Sequence, residues 1–436
     1  MLAHPLRKWR HRGEELALVD RESAQAETHG SAFPQQFERR KQRERVFAAG
    51  KAHGHAVAFA DHAETRDGLP HPAENGFLDV QTLIVLGVSP ARRAAFDALA
   101  RVERGAKSDL ALIESLRGMD ARDAALATQI VYGVLRRRAQ LDWLIGQASA
   151  RPLDQLDRAL LLALRMGAFQ LRFLGRVPRH AAVNETVELV KQRLRPAAGF
   201  ANAVLRRLPP LPERWPEESL EFSMPAWLLE RWKRALGEEN ARLAARASLE
   251  EPAAAGRAGR RMDEGAQSIV PLLELEPGHR FLDVCAAPGN KTLQALESGV
   301  SAVACDASLP RLRGFLAPCP RVQADAARGL PFGAVFDRIL VDAPCTGTGT
   351  LARNPEIRWR ITPDEILRQA QRQEAILRHA LACLKSGGRL VYSTCSLEPE
   401  ENEEVVRRAA AGRVKRTLLR LPGRDPGDGF FAAVID

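Results

Sequence analysis

Three short apolar runs in the second half of the chain each end in a polar loop that carries Cys, Asp or Gly. They read Phe281-Leu282-Asp283-Val284 before Cys285-Ala286-Ala287-Pro288-Gly289-Asn290-Lys291, Ile339-Leu340-Val341 before Asp342-Ala343-Pro344-Cys345, and Leu390-Val391-Tyr392 before Ser393-Thr394-Cys395-Ser396. Ligands of open α/β sheets bind just beyond the carboxyl ends of the strands. The three loops therefore predict one site at the carboxyl ends of the strands of a parallel sheet.

The patterning of apolar residues divides the chain into two kinds of structure. From Met262 onward, strand-like runs alternate with helical ones, which is typical of a parallel α/β sheet. Residues 429–435 predict a last strand, antiparallel and at an edge of that sheet. Between residues 89 and 208 the apolar residues follow helical spacing and strand-like alternation is absent, which predicts an all-α bundle.

These patterns give four regions in a chain of 436 residues. Residues 1–85 hold seven of the ten His and few apolar residues, which predicts a low-complexity or disordered extension. A mis-assigned translation start and a functional RNA-binding arm are the alternatives for that extension. Residues 89–209 form the helical domain, 210–261 a short linker with a helix, and 262–436 the α/β domain.

Charge and cysteine usage limit the partners and the compartment. The net charge of +10 favours a polyanionic partner, although a generally basic composition explains it equally well. The sequence contains neither an apolar signal segment nor an apolar run of membrane-spanning length, so we expect a cytoplasmic protein. Its six Cys are then kept for reactivity or packing, and without Cys/His zinc spacing we expect no metal.

The loops also suit a nucleoside cofactor. The turn at 285–291 lies between a strand and a helix, where backbone N–H groups favour a carboxylate or a phosphate. Asp306 follows the next strand-like run, a position that commonly binds ribose hydroxyls, and Asp325 is suited to reach an adenine. An ordinary β–α turn, a helix cap and a loop acid are the plainer alternatives for these three features.

A thiol beside a carboxylate and a nucleotide-like cofactor suits methyl transfer to a pyrimidine carbon. C5 of cytosine is a poor nucleophile until a thiolate adds to C6, and an acid near N3 stabilises the adduct. The residues alone do not decide whether Cys345 or Cys395 attacks. Cys285, Cys305, Cys319 and Cys383 are interpreted as packing residues, because buried Cys behaves as a small hydrophobic group.

The motifs resemble those of RNA cytosine-C5 methyltransferases. The matching peptides are residues 283–292, 342–349, 353–359, 392–396 and 428–431. In the helical part, residues 124–137, 180–185 and 200–207 resemble the NusB-like RNA-binding domain. A NusB-like domain ahead of such a methyltransferase is the arrangement of the RsmB-type 16S rRNA methyltransferases. The implied fold is multidomain, an all-α NusB-like helical bundle followed by an α/β Rossmann-like, S-adenosylmethionine-dependent methyltransferase domain.

The resemblance implies roles for individual residues. Cys395 is the implied nucleophile, Cys345 assists product release, and Asp342 contacts the base. In DNA cytosine methyltransferases, by contrast, the Pro-Cys residue attacks. The implied contacts of S-adenosylmethionine are Cys285, Ala286, Ala287, Pro288, Gly289, Asn290, Lys291, Asp306, Asp325 and Asp342. The implied partner is 16S rRNA, free or in an assembling small subunit, bound through arginines such as Arg136, Arg137, Arg138, Arg206 and Arg207. We expect a monomer, with no metal and no membrane.

Two departures from the family pattern bear on function. Asn290 stands where the family usually has Gly, although Asn tolerates a left-handed backbone better than most residues. Only residues 248–261 remain where the family carries a small RNA-contacting subdomain, which predicts that RNA docking is either weakened or delegated to the NusB-like domain. The competing functions are a tRNA cytosine-C5 methyltransferase and a non-catalytic RNA-binding ribosome assembly factor.

Overall fold

The computed structural model describes residues 87–253, 256–257, 260–315 and 317–436, so the predicted extension at 1–85 lies outside the described residues. A helical domain comes first. Its helices are α1 (Pro90–Glu103), α2 (Ser108–Ser115), α3 (Ala121–Arg136), α4 (Arg138–Ala148), α5 (Arg158–Phe173), α6 (Arg179–Leu194) and α7 (Ala198–Arg207).

Local signals account for where these helices begin, and their apolar faces account for the bundle. Asp120 and Asp157 precede α3 and α5, and each carboxylate accepts hydrogen bonds from backbone N–H groups of the first turn. The helices share one apolar core, in which Leu99, Ile130 and Leu164 are fully buried. The short α2 contributes least to it. The predicted all-α bundle is confirmed.

Three further helices connect the bundle to the sheet: α8 (Glu218–Glu221), α9 (Ala226–Leu236) and α10 (Glu238–Ala247). These helices pack against the α/β domain. Trp232 and Leu228 pack with Leu351 and Leu397 of the α/β domain, and Trp232 Nε1 donates a hydrogen bond to Glu398 Oε1 over 2.9 Å. A small antiparallel hairpin, β1 (Gly256–Arg257) with β2 (Arg260–Arg261), follows.

The second domain is built on a sheet that has seven strands in the described residues. They are β3 (Arg280–Asp283), β4 (Ser301–Asp306), β5 (Arg321–Gln323), β6 (Phe336–Asp342), β7 (Leu384–Thr394), β8 (Val414–Arg420) and β9 (Phe430–Ile435). The order across the sheet is β5-β4-β3-β6-β7-β9-β8. The first five in that order are parallel, and β9 is antiparallel to both β7 and β8.

Helices cover both faces of this sheet, which explains the apolar runs in the sequence. The helices of this domain are α11 (Glu264–Gln267), α12 (Asn290–Leu296), α13 (Leu309–Arg313), α14 (Ile357–Arg360), α15 (Pro363–Ala382) and α16 (Glu403–Ala409). Leu282, Ile339 and Leu390 enter one core, whereas Leu340 and Val391 enter the core on the other face. Strands buried on both faces are expected to be apolar throughout.

The closing strand differs from its prediction in one respect. β9 is antiparallel as predicted, but it lies between β7 and β8 and not at an edge. The edge belongs to β8, whose first four residues are exposed. Because those residues include Lys415 and Arg416, β8 shows no apolar run that could have marked it as a strand.

Candidate active site

The carboxyl ends of the five parallel strands bring every predicted site residue to one edge of the sheet. In the order of the strands across the sheet, the edge presents Asp325, Asp306, the turn at 285–291, Asp342 and Cys395. β6 and β7 are paired so that Asp342 lies opposite Ser393. The loops that carry Cys345 and Cys395 are therefore neighbours.

The turn at 285–291 is shaped by Gly289. This residue precedes α12 with a φ of +102°, and a Cβ added to it would lie 2.4 Å from the ring of Phe315. Only glycine fits that position without strain. Asn290 is the first residue of α12 and its φ is not positive. Asn in place of the family's usual Gly therefore needs no unusual backbone.

Asp283 was not predicted as a site residue, yet it lies at the carboxyl end of β3, just before the turn. Its Oδ2 accepts a hydrogen bond from Thr292 Oγ1 over 2.6 Å. Its buried Oδ1 has no hydrogen-bond partner among the described residues. Burial raises the pKa of Asp283 to about 7, against the opposing hydrogen bond from Thr292. An acid inside the apolar run Phe281-Leu282-Asp283-Val284 was the available signal.

Asp342 forms an ion pair with the lysine of the turn. Lys291 Nζ lies 2.7 Å from Asp342 Oδ2, and Ser393 Oγ donates to Oδ1 over 2.9 Å. Desolvation opposes the charge of Lys291, but its pKa is still raised, because the Asp342 carboxylate and then the Cys395 sulfur favour the ammonium. The pair links the predicted cofactor turn to the strand end that precedes Cys345.

Asp306 and Asp325 lie at or just beyond the carboxyl ends of β4 and β5. Asp306 is buried, and its carboxylate accepts hydrogen bonds from the backbone N–H of Ala287 over 3.1 Å and of Ser308 over 2.8 Å. It therefore both contacts the turn and supports the start of α13. Asp325 is more exposed and lies 3.8 Å from Arg372. Their assignment to ribose and adenine stays a prediction.

The two loop cysteines are in direct contact. Cys345 Sγ lies 3.2 Å from Cys395 Sγ. The hydrogen bond to Cys395, together with burial, raises the pKa of Cys345 well above its usual range. Either sulfur can be the S–H donor of this contact, and the raised pKa favours the thiol form of Cys345. Both residues were predicted at the carboxyl end of the sheet, but the contact between them was not predicted.

The other four cysteines are surrounded differently. All six are free thiols, and Cys305 and Cys383 are buried in the core beneath the sheet. For Cys285, Cys305, Cys319 and Cys383 alike, burial raises the pKa of the thiol. A raised pKa suppresses the thiolate that would be reactive, which agrees with their interpretation as packing residues.

The arginines predicted to hold phosphates fall into two groups. They are Arg136, Arg137, Arg138, Arg206 and Arg207. Arg136 donates to the carbonyl oxygen of Ala352, while the guanidinium groups of the next two lie over the rings of Phe173 and Trp359. These three serve contacts within the protein. Arg206 and Arg207 are exposed at the end of α7 and are free to face a polyanion.

The described residues offer neither a metal cluster nor a helix that could span a membrane. No group of three or more His, Cys, Asp and Glu side chains in them is arranged to hold a metal ion. None of the helices in the same ranges combines the length and the apolar character needed to cross a membrane.

Comparisons with known proteins match both domains. The family described as 16S rRNA methyltransferase RsmB/F matches residues 270–429, and the NusB family matches residues 89–209. Ribosomal RNA small subunit methyltransferase B of Erwinia tasmaniensis is 33% identical over 410 residues, 77% of this chain and 95% of the relative. The protein of the same name from Thermus thermophilus is 35% identical over 350 residues, 72% of this chain and 86% of the relative.

The fold also matches a solved structure. The crystal structure of PH0851 aligns with a TM-score of 0.66 at 23% identity and covers 80% of this chain and 99% of its own. That likeness supports the fold, a helical domain followed by a Rossmann-like sheet domain. With relatives more than 30% identical along nearly their whole length, the chain belongs to the RsmB/F family of 16S rRNA methyltransferases with a NusB-family domain, and it is an RNA methyltransferase.

Proposed function

We propose that the protein methylates C5 of a cytosine in 16S rRNA, with S-adenosylmethionine as the methyl donor and Cys395 as the nucleophile. The observation that carries the proposal is the 3.2 Å contact between Cys345 Sγ and Cys395 Sγ at the ends of adjacent parallel strands. The 16S substrate rests on the names of the relatives. Such a substrate also implies work in the cytoplasm, where ribosomes assemble.

The residues at the turn fit S-adenosylmethionine. The unpartnered Oδ1 of Asp283 is a buried acceptor suited to an ammonium group, and the start of α12 favours a carboxylate. In this proposal Asp306 binds the ribose and Asp325 the adenine, as the family pattern implies. When bound, this group supplies an electrophilic methyl; the rest of the chemistry belongs to the chain's own side chains.

Cys395 activates the base and Asp342 orients it. Addition of the Cys395 thiolate to C6 forms an S–C6 bond and makes C5 nucleophilic. Asp342, held by Lys291 and Ser393, contacts the edge of the base that carries N3. Bases in unpaired loops reach such a site at low cost, because little stacking must be broken.

Cys345 assists the release of the product. After C5 has lost its proton to a base, the S–C6 bond breaks and Cys395 leaves as a thiolate. The raised pKa keeps Cys345 protonated, and its S–H can donate to the departing sulfur over the 3.2 Å that separates the two atoms. A donor at the leaving atom lowers the barrier to that step.

The test is transfer of tritiated methyl from S-adenosylmethionine to unmodified, protein-free 16S rRNA. We expect label in 5-methylcytosine with the wild type, none with Cys395→Ala, and an RNA adduct on denaturing gels with Cys345→Ala. Cys319→Ala, which removes a packing thiol, is the matched control and should behave as the wild type. Label on tRNA but not on 16S rRNA would identify tRNA as the substrate. Absence of label on any RNA with a folded protein would favour a non-catalytic, RNA-binding role.

A further inference from the structure

A buried glutamate lies beneath both cysteine loops. Glu401 has no exposed surface and follows Cys395 by six residues. It comes before α16 and belongs to neither of the strands that carry the two cysteines. In the described residues its carboxylate accepts hydrogen bonds from both loops at once.

The bonds reach the residue that follows each cysteine. Glu401 Oε1 accepts from the backbone N–H of Thr346 over 2.9 Å. Glu401 Oε2 accepts from the hydroxyl groups of Thr346 and Ser396. Thr346 follows Cys345 and Ser396 follows Cys395. One carboxylate is therefore hydrogen-bonded to both of the loops that carry the two cysteines.

Neighbouring groups fix the carboxylate itself. Gln373 Nε2 donates to Glu401 Oε1 over 2.9 Å and to the carbonyl oxygen of Pro344 over 2.8 Å. The hydroxyl of Tyr392 donates to the backbone carbonyl of Glu401 over 2.6 Å. The glutamate is thus held from α15 and from β7 as well as by the two loops that it joins.

We propose that Glu401 is the positioning residue that holds Cys345 Sγ against Cys395 Sγ and so enables release of the methylated RNA. The idea rests on the proposed function, in which Cys345 serves release. The two loops do not depend on Glu401 equally. Cys395 directly follows β7, whose Thr394 pairs with β9. The Cys345 loop makes two bonds to the carboxylate, and it should move when they are lost.

Loss of Glu401 should therefore affect the two steps of the reaction differently, sparing attack by Cys395 and slowing release of the product. Without Glu401, Cys395 stays on its strand and still attacks, but the Cys345 donor no longer reaches the departing sulfur. Glu401→Ala should therefore resemble Cys345→Ala, with methyl transfer in a single turnover and trapped RNA adduct, and with multiple-turnover release slower by about tenfold or more. A variant that had merely lost its fold would form no adduct.

Glu401→Gln separates geometry from charge. The amide oxygen can accept from Thr346 N–H, and the amide NH₂ can donate to the hydroxyl groups of Thr346 and Ser396, which rotate to suit. Release should therefore be largely restored in this variant. Thr346→Val keeps the shape of the side chain but removes one bond, so it tests the same contact with little risk to folding. Glu404→Ala, which loses only a surface pair with Arg408, is the matched control.

A second measurement needs no RNA and so stands apart from the proposed function. Diamide oxidises two neighbouring thiols to a disulfide and is itself reduced to the hydrazine, and mass spectrometry follows the Cys345–Cys395 link. We expect fast linkage in the wild type, Glu401→Gln and Glu404→Ala, linkage slower by about tenfold or more in Glu401→Ala, and a smaller slowing in Thr346→Val, which keeps the backbone bond to the carboxylate. Wild-type linkage rates and normal release in both of the last two variants would overturn the inference. Loss of RNA chemistry in every protein, with the linkage pattern intact, would instead count against the proposed function.

Discussion

At the residue scale, Asp283 couples folding to pH. Its carboxyl is buried, and burial raises its pKa to about 7, above the value of about 4 expected in an unfolded chain. The folded state therefore binds the proton more tightly than the unfolded state. The contribution of Asp283 to stability is fully present below pH 4 and is lost as the pH rises through 7.

Replacement of Asp283 by Asn should flatten this dependence. Between pH 5 and pH 8 the wild type should lose about 2 kcal/mol more unfolding free energy than Asp283→Asn, because the amide does not ionise. Urea unfolding at the two pH values measures the difference. The exposed Asp154→Asn should track the wild type. Equal pH dependence of Asp283→Asn and the wild type would show that Asp283 is not held neutral.

At the element scale, the start of α12 depends on one backbone conformation. Gly289→Ala combines a φ of +102° with a Cβ placed 2.4 Å from Phe315, so we expect a loss of about 2–4 kcal/mol and a weaker affinity for S-adenosylmethionine. Gly387 also has a positive φ, +74°, but nothing lies within 4 Å of its added Cβ. Calorimetric titration should show normal affinity for Gly387→Ala. Equal affinities of the two variants would contradict the role of the turn.

The same scale shows what the sequence could and could not predict. The ends of β3, β6 and β7 were predictable, because apolar strands covered on both faces leave continuous runs that stop at polar loops. The place of β9 inside the sheet was not, since pairing between distant segments leaves no local pattern. The contact between Cys345 and Cys395 depends on the register of β6 with β7 and on Glu401 beneath both loops. Neither the strand register nor the position of Glu401 beneath the loops can be predicted from the spacing of residues in the sequence.

At the scale of the whole molecule, the two domains are joined through the segment that follows the Cys345 loop. Glu356 accepts hydrogen bonds from Ser108, at its backbone N–H over 3.0 Å and at its hydroxyl over 2.8 Å, and both residues are buried. Trp359 Nε1 donates to the carbonyl oxygen of Leu135 over 2.7 Å. A carboxylate at the start of α2 also suits the dipole of that helix. The NusB-family domain is thus anchored about ten residues beyond Cys345.

Glu356→Ala should therefore weaken the union of the domains. It leaves two buried donors of Ser108 without an acceptor, for a loss of about 3 kcal/mol. In a calorimetric scan we expect the wild type to unfold in one transition and Glu356→Ala to show the two domains unfolding separately. Glu114→Ala, which removes an exposed carboxylate of α2 itself, should leave the single transition in place. If the two variants gave the same scan, the buried contact between Glu356 and Ser108 would not be what unites the domains.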